Sequence, residues 1–396
     1  MISHKNALEM VLASSRSLGT ETVGLSDAGG RFLGETITAD RDFPPFDRVT
    51  MDGISIAFSG LKSDQTAFLV EDIARAGAPQ AILSTSSHCI EVTTGAMLPI
   101  GCDTVIPYEH LHKCDNGYQI LVQPKEGQNI HLKGSDTQDQ SLLLQPGVQI
   151  SAAEIAILAT VGKTQVLVHK SPEVTILSTG DELVPVHEFP EPHQIRTSNN
   201  YMLQEALRQW HIRPNLLHLP DDKIVLTESL SKVLAVSDAL IISGGVSMGK
   251  FDFLPETLTQ LGVKNSFHRV AQKPGKPFWF GTWNQGGCVV FSLPGNPVST
   301  FLNYLVYFEA WLRQCWQLPL VRYQVKITAE QNNSSKLTQF TPVRLIEIGG
   351  QRYASPIANN GSGDFISLTH SDGFIVLEPE SKYAQDSILP YIPFIS

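Results

Sequence analysis

The sequence predicts a multidomain fold, α/β plus β, and three observations carry that expectation. At 396 residues the chain is too long for one ordinary core and fits two to four domains. Residues 172–316 alternate strand-like and helix-like runs, the pattern of a parallel sheet covered by helices on both faces. Residues 41–146 and 317–396 instead carry short Thr-, Val- and Ile-rich runs separated by turn residues, as small β domains do.

Taken in order, MISHKNALEMVLASSRS reads as a short amphipathic helix without the long apolar core of a signal peptide. AFLVEDI and CIEVTTG are the strand candidates of the 41–146 segment. A helix and a strand in ISAAEIAILATVGKTQVLVHK return the chain towards that first helix. Residues 1–40 with 147–171 are therefore expected to form one discontinuous domain, with 41–146 inserted into it. From 172 to 316 the strands are EVTILST, NLLHL, DALIIS and CVVFSL. NNYMLQEALRQW, DDKIVLTESLSKVLA, FLPETLTQL and PVSTFLNYLVYFEAWLRQ are the helices between and after them. YQVKITAE, TPVRLIEIGG and GFIVLEPE then predict a small C-terminal barrel or sandwich.

Composition excludes several function classes. A formal net charge of −10 argues against nonspecific nucleic-acid binding, which needs a positive field. Cys89, Cys102, Cys114, Cys288 and Cys315 are scattered with no CxxC spacing, so reduced thiols of a cytoplasmic protein are expected. FLNYLVYFEAWL is the most apolar late segment, but it is too short for a bilayer and contains Asn303 and Glu309. The expectation is a soluble protein with no membrane segment and no nucleic-acid partner.

The chemistry concentrates at strand ends. In α/β sheets ligands bind outside the carboxyl ends of the strands, and three of these strands run into the polar turns STGDE, SGGVS and SLPGNP. Gly244, Gly245 and Ser247 make a loop whose backbone N–H groups can face an anion. Pro294, Gly295 and Asn296 lead into a helix with Asn296 at the N-cap and Pro297 at the first position; a well-capped helix and nothing more is the alternative. In QKPGKPFWFG, Lys273 and Lys276 stand on either side of a Pro-Gly turn stiffened by Pro274 and Pro277. Two preplaced cations suit a diphosphate or an oxyanion, the alternative being a solvated turn. Asp181, Glu182, Asp221 and Asp252 follow strands. Mg²⁺ takes one or two carboxylates plus phosphate oxygens, which suits Asp221 and Asp252, although Asp221 equally suits a helix cap. Asp52 in MDG, Thr94 in TTGAMLPIGCD and Asp136 in HLKGSD read locally as turns or polar loops.

Taken together, PPFDRVTMDG, TTGAMLPIGCDTVI, KGSD, STGDEL, TSNNYML, SGGVSMGKFD, QKPGKP, SLPGNPVS and NNGSGDFISL…DGFIVLEP occur in one order along nearly the whole chain. In that order they resemble the MoeA family, the molybdopterin molybdenumtransferases, whose relatives include the gephyrin E domain. The resemblance implies a MogA-like doubly wound α/β domain at 172–316, an inserted β domain and a C-terminal β barrel. It also implies a homodimer with its active site between the α/β domain of one subunit and the inserted domain of the other. The implied reaction converts adenylylated molybdopterin and molybdate, with Mg²⁺, into molybdenum cofactor and AMP. Glu182, Asp221 and Asp252 would hold Mg²⁺ or orient water, and Lys273 and Lys276 would neutralise phosphate or molybdate. Gly244, Gly245, Ser247, Pro294, Gly295 and Asn296 would line the pterin and phosphate pocket. Asp52, Thr94 and Asp136 would complete the site, and Ser362 matches a position near the cleft. A molybdopterin adenylyltransferase and molybdoenzyme maturation proteins are the implied partners.

The chain departs from the family pattern at Ile54 (Tyr is usual), Ser135 (Glu), Thr197 (often Asp), Lys250 (Asp or Glu) and Arg269 (Lys). Fewer acidic groups and an added lysine favour anions over Mg²⁺. A rival reading is thus a catalytically weak paralogue that binds the pterin nucleotide without inserting metal. A scaffold and a MogA-like adenylyltransferase are further alternatives. The last would explain the α/β domain but neither β domain.

Overall fold

The computed structural model describes residues 1–62, 65–245 and 253–394. Contacts divide it into two compact units: residues 1–23, 30–34 and 167–396, and residues 24–29 and 35–166.

The larger unit is built on a six-stranded sheet. Its order is Asn215–Leu219, Val174–Thr179, Ala239–Ser243, Cys288–Leu293, Trp279–Trp283 and Lys264–His268. The first four strands are parallel, and Ser178, Ser243 and Leu293 stand in register at their carboxyl ends. Val174–Thr179, Ala239–Ser243 and Cys288–Leu293 are buried along their whole length. Their continuous apolar sequences follow from burial on both faces. Ile176, Ile241 and Phe291 pack on one face with Leu203, Leu207 and Trp311. Leu177, Leu240, Ile242 and Val290 pack on the other with Leu226 and Leu230. This alternation between faces is the physical content of a doubly wound sheet.

Two strands were not foreseen. Trp279–Trp283 and Lys264–His268 extend the sheet as an antiparallel pair, so the sheet is mixed. Trp279–Trp283 follows the QKPGKP turn so closely that the prolines mask it in the sequence.

The helix after SLPGNP is one run with three parts: α-helical Pro297–Asn303, a π segment Tyr304–Phe308, and α-helical Glu309–Cys315. The N-terminal helix His4–Ala13 is capped by Ser3, whose hydroxyl accepts from the Asn6 N–H at 3.1 Å. Its Ala7 and Val11 join Trp311 and Leu312 in the main core. At the C-terminus, Thr338–Ile348, Gln351–Pro356, Tyr323–Ile327, Ile388–Pro393 and Gly373–Leu377 pair in that order. Gly373–Leu377 pairs back onto Thr338–Ile348, which closes a five-stranded barrel.

The smaller unit holds a second six-stranded sheet, with Gly53–Ile56 between Thr104–Pro107 and His88–Val92. A Cβ on Gly53 would stand 1.9 Å from the Ile106 carbonyl oxygen, so strand packing requires the glycine of MDG. Ile54 is fully buried among Ile56, Phe68, Cys89 and Ile106. The departure from the usual tyrosine at this position is therefore a core substitution. The helix Ala152–Thr160 opens with a capping box between Ser151 and Glu154. Four of the five cysteines are buried free thiols, and Cys114 is exposed. Among the described residues no helix is long and apolar enough to cross a membrane.

Candidate active site

The described residues of the three polar turns, at the ends of adjacent strands, lie side by side. They enclose a cavity of about 230 Å³ lined by Thr179, Glu182, Asn199, Ser243, Gly244 and Asn296, among others. Gly244 and Gly245 both have positive φ, and the Gly244 N–H donates to the Leu293 carbonyl at 3.0 Å, tying two turns together. Asn199 is the clasp. Its Nδ2 donates to Ser243 Oγ at 2.8 Å and to the Gly295 carbonyl at 2.7 Å. Beside it, Asn200 Nδ2 donates to Ser178 Oγ at 2.9 Å, and Ser178 meets His218 Nδ1 at 3.1 Å. Among the described residues the Oδ1 atoms of Asn199 and Asn200 are buried with no hydrogen-bond partner. Both residues line the cavity. A ligand donor entering there would relieve the cost of leaving such groups unpaired. Sequence reasoning quoted TSNNYML but missed these asparagines; two amides opening a helix beside a strand end were the available signal.

The carboxylates gather at the next strand end. The Asp221 N–H donates to Asp181 Oδ1 at 3.4 Å. Burial raises the pKa of Asp221, and the charges of Asp181 and Glu182 raise it further. The helix cap here is Asp222, whose carboxylate accepts from Ile224 and Val225, so Asp221 is left free of that task. Ser247, Lys250 and Asp252 lie outside the described residues.

A second cavity, about 490 Å³, is lined by Lys273, Lys276, Pro294, Asn296 and Ser362 with part of the barrel. Both lysines are exposed, and Gln272–Lys273 pairs with Thr338–Gln339 of the barrel. Asn296 starts its helix, its carbonyl accepting from Thr300 N–H at 2.9 Å. Its side chain caps nothing; Nδ2 donates instead to Ser362 Oγ at 2.7 Å. The Ser362 carbonyl accepts from the Val298 N–H at 3.1 Å. Asn296 lines both cavities, so the strand-end turns and the lysine turn share a wall.

In the smaller unit, Asp52 Oδ1 accepts from the Thr94 N–H at 2.7 Å. Asp136 Oδ1 meets His131 Nε2 at 2.8 Å, and His131 Nδ1 meets Arg48 at 2.9 Å. Strand pairing joins the motifs: Arg48–Val49 pairs with Ile130–His131, and Arg48 bridges to Met97. Three stretches distant in sequence therefore present Asp52, Thr94 and Asp136 within one unit.

Polar strand ends, neighbouring carboxylates and a turn with two exposed lysines line the cavities of an α/β domain fused to a five-stranded barrel. Comparison with known proteins specifies the class. The family descriptions "MoeA N-terminal region (domain I and II)", "Probable molybdopterin binding domain" and "MoeA C-terminal region (domain IV)" match residues 2–162, 175–314 and 324–387. A molybdopterin molybdenumtransferase of Synechocystis is 39% identical over 396 residues, covering 99% of each chain. One from Nostoc is 30% identical, covering 90% of this chain and 85% of the relative. The crystal structure of a molybdopterin biosynthesis MoeA protein from Pyrococcus horikoshii superposes with a TM-score of 0.84 at 26% identity, covering 99% of this chain and 100% of that one. The chain belongs to the MoeA family of molybdopterin molybdenumtransferases.

Proposed function

We propose that this protein inserts molybdate into adenylylated molybdopterin and releases AMP, completing molybdenum cofactor synthesis. The observation that carries the reading is the pair of cavities meeting at Asn296, one walled by strand-end turns and carboxylates, the other by two lysines. In this reading the strand-end cavity takes the pterin phosphate, whose oxygens face the turn backbones, with Asn199, Asn200, Gly244 and Gly295 around it. Molybdate, a tetrahedral dianion, sits against Lys273 and Lys276, with the Ser362 hydroxyl nearby.

Cleaving a phosphoanhydride calls for positioning and charge neutralisation more than for a strong nucleophile. The charges of Asp181 and Glu182 bear on Asp221, but among the described residues no three carboxylates, histidines or cysteines are placed to hold a metal between them, so Mg²⁺ would be held by one or two of these carboxylates together with phosphate oxygens of the substrate. Bound there, Mg²⁺ would neutralise phosphate charge as AMP leaves. Asp252 belongs to the same proposed set. Asp52, Thr94 and Asp136 are proposed to act on the site of a second copy in a homodimer. The product would pass to molybdoenzyme maturation proteins in the cytoplasm, and an adenylyltransferase would supply the substrate. No observation favours the silent paralogue.

The test is to incubate the protein with adenylylated molybdopterin, Mg²⁺ and molybdate, following AMP and reconstitution of an apo-molybdoenzyme. AMP release that requires molybdate and Mg²⁺ and is lost in Asp221→Ala supports the reading. Tight nucleotide binding with no AMP above background would return the paralogue. Mixing Asp52→Ala with Lys276→Ala subunits tests the shared site: activity that neither homodimer has is expected.

A further inference from the structure

The QKPGKP turn is anchored from beneath by a chain of buried side chains. Gln272, Asn303 and Tyr307 are each 0% exposed. Tyr307 Oη donates to Gln272 Oε1. The phenol has one proton, so His4 Nδ1, at 3.0 Å, must donate to the Tyr307 oxygen. Burial lowers the His4 pKa to about 4, so its ring is neutral near pH 7. Gln272 Nε2 donates to Asn303 Oδ1 at 2.7 Å and to the Pro274 carbonyl at 3.2 Å. Asn303 Nδ2 donates to the Gly275 carbonyl at 3.3 Å. Every donor points one way, from the N-terminal helix to the turn between the two lysines.

The turn leaves no slack above these amides. Gly275 has a φ of +85°, and a Cβ there would stand 2.8 Å from Gln272 Nε2 and 2.9 Å from Asn303 Nδ2. Asn303 and Tyr307 ride on the helical run that begins at Asn296, in the wall shared by the two cavities.

We infer that Gln272, Asn303 and Tyr307 are positioning residues for the reaction: they fix the Pro274–Gly275 carbonyls and thereby the spacing and direction of Lys273 and Lys276 towards the oxyanion. The inference rests on the reading of those lysines as the molybdate site. None of the three residues touches substrate; they act through the turn. Two long cations held at a fixed spacing bind a tetrahedral anion without the ordering cost of recruiting them from solution.

Molybdate binding by calorimetry, together with the half-saturating molybdate for AMP release, tests this in the full-length protein. Tyr307→Phe keeps the ring and removes only the donor; Gln272→Glu keeps the shape and reverses one donor. Each is expected to weaken molybdate binding by about tenfold. Each should raise half-saturating molybdate in proportion, with turnover at saturation largely retained. Val290→Ala, in the core on the other sheet face, is the control for lost stability and should leave binding unchanged. The Lys273→Ala, Lys276→Ala double variant should abolish binding. If the network variants bind like wild type while the double-lysine variant does not, the inference falls alone. If Val290→Ala weakens binding as much at equal loss of Tm, the role is merely structural and the inference also falls. If the double-lysine variant still binds, the anion reading fails and takes the inference with it.

Discussion

The two cavities that meet at Asn296 are built by different means. The strand-end cavity is a product of sheet topology: parallel strands in register deliver their turns to one edge, and Asn199 clasps them. The lysine cavity owes its shape to a turn held by the buried amides of Gln272, on the adjoining strand, and Asn303, on a helix, and by a two-residue pairing with the barrel. The first is supported by the whole core. The second depends on a few hydrogen bonds, each worth about 1 kcal/mol net but costing more when one partner is left buried and unpaired. Single substitutions should therefore separate the two cavities.

The largest effect is expected from Lys273→Ala with Lys276→Ala. Molybdate-dependent AMP release should fall by about a hundredfold or more, measured at fixed molybdate. Both side chains are exposed, so Tm should hardly move. A matching collapse in stability would break the comparison, because the lysines would then be structural. Next comes Gly275→Ala, which combines a left-handed φ with a clash against two amides. It should cost about 2–4 kcal/mol in denaturant unfolding and weaken molybdate binding alongside.

Glu309 sharpens the picture from the far end of the same helical run. Burial raises its pKa from 4.5 to about 7, against the lowering effects of the Trp210 hydrogen bond and the Arg313 charge. The native state thus holds a proton that the unfolded chain gives up, so stability falls as pH rises from about 4.5 to about 7 and is level above. Glu309→Gln should remove that slope, gaining on the order of 3 kcal/mol at about pH 8 and little at about pH 4. Thermal unfolding across pH measures it. The smallest effect is Asp222→Ala: losing the cap should cost about 1 kcal/mol of unfolding free energy and leave molybdate binding unchanged.

Much of this was legible in the sequence. Strand–helix alternation gave the doubly wound sheet, and the Gly-containing strand ends gave the edge where the smaller cavity lies. Features that depend on tertiary contact escaped. Trp279–Trp283 was hidden by the prolines just before it, the barrel strand Gln351–Pro356 carries few apolar residues, and Ile388–Pro393 contains two prolines. Asp221 and Asp222 are indistinguishable in LPDDKIVL; only backbone geometry assigns the cap to the second. The motif comparison marks Ile54 as a departure, but not that its strand is buried and the side chain a core residue. Gln272 gave no signal and Asn303 showed only as a polar residue in an apolar run, since a buried amide shows its purpose only through what it holds.

The central claim is that the two cavities take different ligands. Equilibrium binding of adenylylated molybdopterin and of molybdate should be measured on the Lys273→Ala, Lys276→Ala double variant and on Asn199→Ala. The account predicts a crossed result: the lysine variant loses molybdate and keeps the nucleotide, and Asn199→Ala does the reverse. If both variants lose the same ligand, or each loses both equally, the division of labour between the cavities is wrong.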